Sequence, residues 1–270
     1  MRIRIIDAFV TDGPFTGNPA GVCVLAEPRW PDEGWMQQVA AEMNLSETAF
    51  THPRASDPDA DWALRWFTPL AEVNLCGHAT LATAHALDRD GKVSGPVRFA
   101  TRSGVLGATV GDDGRVALDF PAATVSPTAP PADLAESLGV PVLKAYTTGS
   151  LGDLVVEVAD ESTVRAARPD YAALAALPHR GVVVTSVAPD GASYDFVSRF
   201  FAPRVGVHED PVTGSAHTAL APLWSQRFGR SELLGLQASR RSGLVHTVLD
   251  GERVHLSGQA VTVLDGTLHA

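Results

Sequence analysis

Two stretches of the chain set a glycine and a polar residue at the head of a small apolar run: CGHATLATAHAL at 76–87 and TGSAHTALAPLW at 213–224. The runs behind Gly77 and Gly214 read as buried helices entered through a sharp turn. The first amides of a helix lack internal partners and sit at the positive end of its dipole. Gly77–His78 and Gly214–Ser215 therefore offer seats for a carboxylate, with glycine letting the ligand approach the backbone closely. A plain strand-to-helix turn would explain either glycine alone. Recurrence at matched positions favours an anionic small molecule held between two such helix starts.

Three further groups could do chemistry. Glu47, in NLSETAF, is the one carboxylate among uncharged neighbours. It fits an exposed strand glutamate, a partner of Ser46 in capping a turn, or a desolvated acid whose pKa rises toward that of a proton-transfer group. In HEDPVTGSAH, Pro211 pushes Asp210 into an extended conformation just before the second helix start, with His208 and Glu209 beside it. Cys76, next to Gly77, is placed where a thiol can be activated. The position answering it in the second half is Thr213, so a two-thiol racemase lacks its second thiol. Ser215 lies in GSAH and not in the GxSxG of a hydrolase elbow. Nine histidines raise the question of a metal, but no HxH or HxxxH occurs, and the reading is no metal.

The elements that must carry these residues come in two sets. TGNPAGVCVL at 16–25 has a weaker counterpart in TGSLGDLVVE at 148–157, Phe67 and Pro69 answer Phe201 and Pro203, and RSG occurs at 102–104 and 241–243. Ordered landmarks at a slowly growing offset imply two homologous halves. In the first, strands are expected at 3–10, 21–25, 47–50, 62–67, 97–101, 105–110 and 115–120, with a helix from Trp35 to Met43 and a central helix from Gly77 to about Leu87. The second half should repeat this, each half closing through an Asp-Gly turn, at 113–114 and 250–251. Pro121, Pro127, Pro130 and Pro131 mark a crossover linker. The expected fold is α+β: two pseudo-symmetric domains, 1–121 and 122–270, each a curved, mostly antiparallel sheet around a central helix, with a cleft between them. The last strands are free to exchange between domains.

Composition limits the partners. With 21 Lys plus Arg against 31 Asp plus Glu, the net charge of −10 disfavours nucleic acid and anionic membrane surfaces. Hydrophobic residues at 45% and charged residues at 19% describe a globular chain and not a disordered one. Two cysteines without CxxC spacing suit a reducing compartment. With neither a signal-like start nor a membrane-length apolar run, a cytoplasmic protein is expected.

DAFVTDGPFTGNPAGVCVL, NLSETAF, FTPLAEVNLCGHATLATAHAL and GVHEDPVTGSAH, in this order, resemble the PhzF family, the phenazine biosynthesis-like proteins with the diaminopimelate epimerase-like fold. The resemblance runs nearly end to end and implies two α/β-roll domains, commonly in a homodimer. It places the family's catalytic glutamate on Glu47, its Gly-His pair on Gly77 and His78, its aspartate on Asp210 and its Gly-Ser pair on Gly214 and Ser215. It implies an isomerase that moves a proton within a small cyclic carboxylate or amino acid without cofactor, as in the isomerisation of dihydro-hydroxyanthranilate. Glu47 would carry the proton, while His78, Asp210 and Ser215 orient the substrate or assist. A Cys76-dependent epimerase and a non-catalytic small-molecule-binding protein are the alternatives. Arg65, Arg199 and Arg204 could add positive potential or be solvated surface residues.

Overall fold

The computed structural model describes residues 1–54 and 57–269. The chain divides into two compact units, one of Met1–Asp119 with the segment from Ser257 onward, the other Phe120–Leu256. Of the stretch 122–270, the part from Ser257 packs with the first unit. Ala270 lies outside the described residues.

The first unit contains β1 (Arg2–Ala8), β2 (Asn18–Val24), α1 (Glu33–Met43), β3 (Glu47–Pro53), β4 (Trp62–Phe67), β5 (Glu72–Val73), α2 (Gly77–Arg89), β6 (Pro96–Thr101), β7 (Gly104–Val110) and β8 (Val116–Pro121). The second contains β9 (Ser126–Thr128), α3 (Leu134–Leu138), β10 (Lys144–Thr147), β11 (Leu154–Glu157), α4 (Glu161–Ala166), α5 (Tyr171–Ala176), β12 (Val182–Val187), β13 (Phe196–Ala202), β14 (Val207–Asp210), α6 (Gly214–Phe228), β15 (Glu232–Gln237), β16 (Gly243–Asp250) and most of β17 (Arg253–Gly258); the last two residues of β8 fall in the second unit and the last two of β17 in the first. The strand β18 (Ala260–Thr267) returns to pair antiparallel with β1.

One pairing scheme is written in both units. In the first, β2 runs parallel to β3, β3 antiparallel to β4, β4 parallel to β6 and β6 antiparallel to β7, with β5 hung on β4. In the second, β11, β12, β13, β15 and β16 repeat that series, with β14 hung on β13. Parallel neighbours need a crossover, which the intervening helices provide. Each sheet encloses its own long helix. Nine residues of α2 are buried, and it packs on β1, β2, β3, β7 and β18. Ala216, Ala219, Leu220, Leu223 and Trp224 of α6 pack with Tyr146, Val155, Val183, Phe196, Phe200 and Leu233. A helix apolar on nearly every side needs burial on every side, and a sheet wrapped round it supplies that.

The halves differ where one long helix was expected. Asp32 caps α1 and Asn44, in the left-handed region, ends it. At the matching place, between β11 and β12, stand two short helices, α4 and α5, capped by Asp160 and Asp170. Pro169 between them explains the break, since it lacks an amide to continue a helix. The proline-rich crossover also holds a strand that sequence reading missed, β9, paired with β10. Within α6, Pro222 cannot donate to the carbonyl one turn back, that of Thr218. The amide of Ala123 takes its place, 3.1 Å from that oxygen. Among the described residues no helix is long and apolar enough to cross a membrane.

Candidate functional site

Glu47 is the first residue of β3, set beside Ala20 of β2, and its side chain is 19% exposed. His78, the second residue of α2, brings Nε2 to 3.2 Å from Glu47 Oε2. Behind the imidazole, the Nδ2 of buried Asn18 lies 3.2 Å from Nδ1, while Ser46 Oγ donates to Asn18 Oδ1 at 3.3 Å. An amide with its oxygen engaged offers its NH2 to the ring, so Nδ1 accepts and the ring proton sits on Nε2, the nitrogen 3.2 Å from Glu47 Oε2. Burial pushes His78 down to about 3, so its imidazole is neutral at neutral pH and the pair is not a salt bridge.

Cys76 is the N-cap of α2, with Sγ 3.5 Å from His78 Nδ1. Glu47, Cys76 and His78 bring a carboxylate oxygen, a sulfur and a ring nitrogen within 4.8 Å of one another, a donor set able to hold a soft divalent cation. Such an ion would have to displace the Nε2 proton that Asn18 fixes there or take Nδ1 from Asn18.

In the second unit, Asp210 ends β14 and accepts from Thr213 Oγ1 at 2.5 Å. Gln237, fully buried on β15, fastens this loop: Nε2 donates to the Asp210 carbonyl at 2.7 Å, and Oε1 accepts from the Thr213 amide at 2.8 Å. Ser215 is the second residue of α6, matching His78 in α2. Its Oγ accepts from Arg180 Nη2 at 2.8 Å. His208 instead stacks on Tyr171 with ring centroids 4.4 Å apart, and Glu209 pairs with Arg199.

The long central helices share a start unlike that of α1. Neither Cys76 nor Thr213 makes a side-chain cap bond, whereas Asp32 caps α1. Four residues on, Thr80 Oγ1 donates back to the Cys76 carbonyl at 2.7 Å, and His217 Nδ1 lies 2.8 Å from that of Thr213. An uncapped first turn keeps its amides for a ligand.

Of the residues singled out in the sequence, the structure pairs Glu47 with His78 and puts Gly77 and Gly214 at the two helix starts. Asp210 stands beside the N-cap of α6, and Ser215 is in its first turn. The three arginines suggested as extra positive charge are engaged elsewhere. Arg65 is bound by Glu72 and Glu33, Arg199 by Glu209, and Arg204 donates to the Leu177 carbonyl. Asn18, Arg180 and Gln237 escaped the sequence reading. Asn18 hides in GNPAG as a turn residue and Arg180 in LPHRG as a loop cation, although the repeat could have flagged Arg180, which answers Ser46.

The family model described as phenazine biosynthesis-like protein, PhzC-PhzF, matches residues 6–266. An uncharacterized isomerase of Pseudomonas aeruginosa is 49% identical over 270 residues, covering 100% of this chain and 99% of the relative. A crystal structure of a PhzF family protein from Enterococcus faecalis superposes with a TM-score of 0.91 at 39% identity, covering 100% of this chain and 99% of that one. A hydroxyproline epimerase of Agrobacterium vitis shares the fold alone, with a TM-score of 0.63 at 14% identity over 98% of this chain and 91% of its own.

Proposed function

Because the chain belongs to the PhzC-PhzF family of phenazine biosynthesis-like proteins, we propose that it is a cofactor-independent isomerase moving a proton within a small cyclic carboxylate or amino acid. Glu47 is the general base and then the general acid. It takes a proton from a carbon acidified by its neighbours and returns it to another carbon: one C–H bond breaks, the electron pair shifts along the conjugated system, and a new C–H bond forms with no net redox change. The neutral His78 holds its Nε2 proton toward the carboxylate and the reacting atoms. Asp210 accepts from a substrate amine or hydroxyl, Ser215 donates to an acidic group, and the amides at Gly77 and Gly214 stabilise negative charge. A homodimer in the cytoplasm belongs to the same proposal, as does a small anionic metabolite as substrate.

The observation carrying this reading is the half-buried Glu47 carboxylate set 3.2 Å from an imidazole whose tautomer is fixed from behind by Asn18. The name isomerase borne by close relatives supports the reaction class. The test is solvent-deuterium incorporation, followed by NMR, into small cyclic amino and hydroxy carboxylates, beginning with dihydro-hydroxyanthranilate. Because the Glu47 carboxyl is 19% exposed and exchanges its proton with solvent between the two transfers, deuterium is expected at the new C–H position of the product. Full activity of Glu47→Gln on a substrate so identified would overturn the assignment.

A further inference from the structure

The two halves diverge most where they should match best. Thr48 of β3 stands opposite Phe67 and Val182 of β12 opposite Phe201, so the register sets Glu47 against Gly181 and Ser46 against Arg180. Where the first unit carries its carboxylate, the second carries no side chain, and a guanidinium comes one residue earlier. Arg180 is firmly held. Its Nε and Nη2 clasp the fully buried Asp153 carboxylate at 2.9 and 2.5 Å, and its Cζ lies 5.4 Å from the Phe200 ring centre.

Nη2 also donates to Ser215 Oγ at 2.8 Å. A guanidinium only donates, so this bond occupies a lone pair of Ser215 and turns the hydroxyl hydrogen away from Arg180. Among the described residues that hydrogen reaches no acceptor, and Arg180 Nη1 likewise makes no hydrogen bond. We propose that Arg180 is a positioning residue that sets Ser215, in the first turn of α6, as a donor to the carboxylate of the substrate. The inference rests on the reading of Ser215 as a substrate contact. It gives the halves opposite duties, proton movement in one and carboxylate recognition in the other.

The experiment measures equilibrium binding by calorimetry, using anthranilate and its uncharged counterpart anthranilamide as probes. Removing Arg180 alone would strand the buried Asp153, so the variant is the double Asp153→Asn/Arg180→Met, with its folding checked by thermal melting. The wild type is expected to prefer anthranilate, and the double variant to lose that preference with anthranilate weakened about 10-fold or more and anthranilamide unchanged. Arg180→Lys keeps a charge beside Asp153 but not the fork, and should lie between the two. A folded double variant that binds anthranilate like the wild type, equal loss of both probes, or a wild type without preference would each overturn the proposal. Solvent-deuterium incorporation by the wild type reports on proton transfer without either probe, so failure of that reading and failure of this one are separately visible.

Discussion

Asn18 presents its amide nitrogen 3.2 Å from Nδ1 of His78, whose other ring nitrogen lies 3.2 Å from Glu47. This contact decides which ring nitrogen holds the proton. Asn18→Ala should lower kcat about 10-fold without unfolding the protein. Asn18→Asp should cost more, because an anionic acceptor draws the proton to Nδ1 and leaves a bare Nε2 against a carboxylate. Nitrogen-15 shifts of the His78 ring should report the protonated Nε2 in the wild type and its reversal in Asn18→Asp.

Glu47→Gln keeps the shape of the side chain but removes the base. A loss of about 10²- to 10⁴-fold in the deuterium-incorporation rate is expected, the usual contribution of a positioned acid–base group. Melting temperature should hardly move, and Glu47→Asp should be intermediate because it keeps the carboxyl but withdraws it from His78.

Two imidazoles make the fold acid-sensitive. Burial lowers His78 to about 3 and His217 to about 4, whereas both titrate near 6.5 in the unfolded chain. Between these limits the unfolded state binds more protons, so stability rises with pH there. The protection is complete above about 6.5 and is lost as pH falls toward 3. Urea midpoints measured from pH 7 to 4 should decline, and His217→Gln should flatten its share of the slope.

Cys76 tests the thiol alternative. Cys23 is buried and its thiol is pushed up to about 12, so iodoacetamide at pH 8 should modify Cys76 at most, as peptide mass spectrometry would reveal. Cys76→Ser should stay within a few-fold of wild-type turnover. A fall as deep as that of Glu47→Gln would favour a Cys76-dependent epimerase.

Gly235 of β15 marks a close approach. A methyl group there would overlap the Phe196 ring and come within 3.2 Å of His217 Nε2. Gly235→Ala should cost about 1–3 kcal/mol, the range for overpacking. Adding Phe196→Leu should recover part of this in urea denaturation.

Much of this was legible in the sequence because it depends on local pattern. The apolar runs behind Gly77 and Gly214 are the central helices, the repeat landmarks lie on equivalent elements, and Glu47 and His78 are neighbours. Asn18, Arg180 and Gln237 were not legible because their roles come from register. Asn18 meets His78 only once β2 lies beside β3 and α2 packs on both. Gln237 reaches Thr213 only because β15 pairs with β13 next to β14. The roles of Arg65 and Arg199 were hidden for a related reason, since Glu72 of β5 and Glu209 of β14 reach them from neighbouring strands.

The proline in α6 has a practical consequence. Its unpaired carbonyl is answered by Ala123, so the strip of chain that crosses from one unit to the next is moored to the rod bearing Ser215. Anyone excising the latter half as an independent fragment must begin it ahead of Ala123. A later start strips the Thr218 oxygen of its donor in mid-rod and slackens the very turn on which substrate capture would depend.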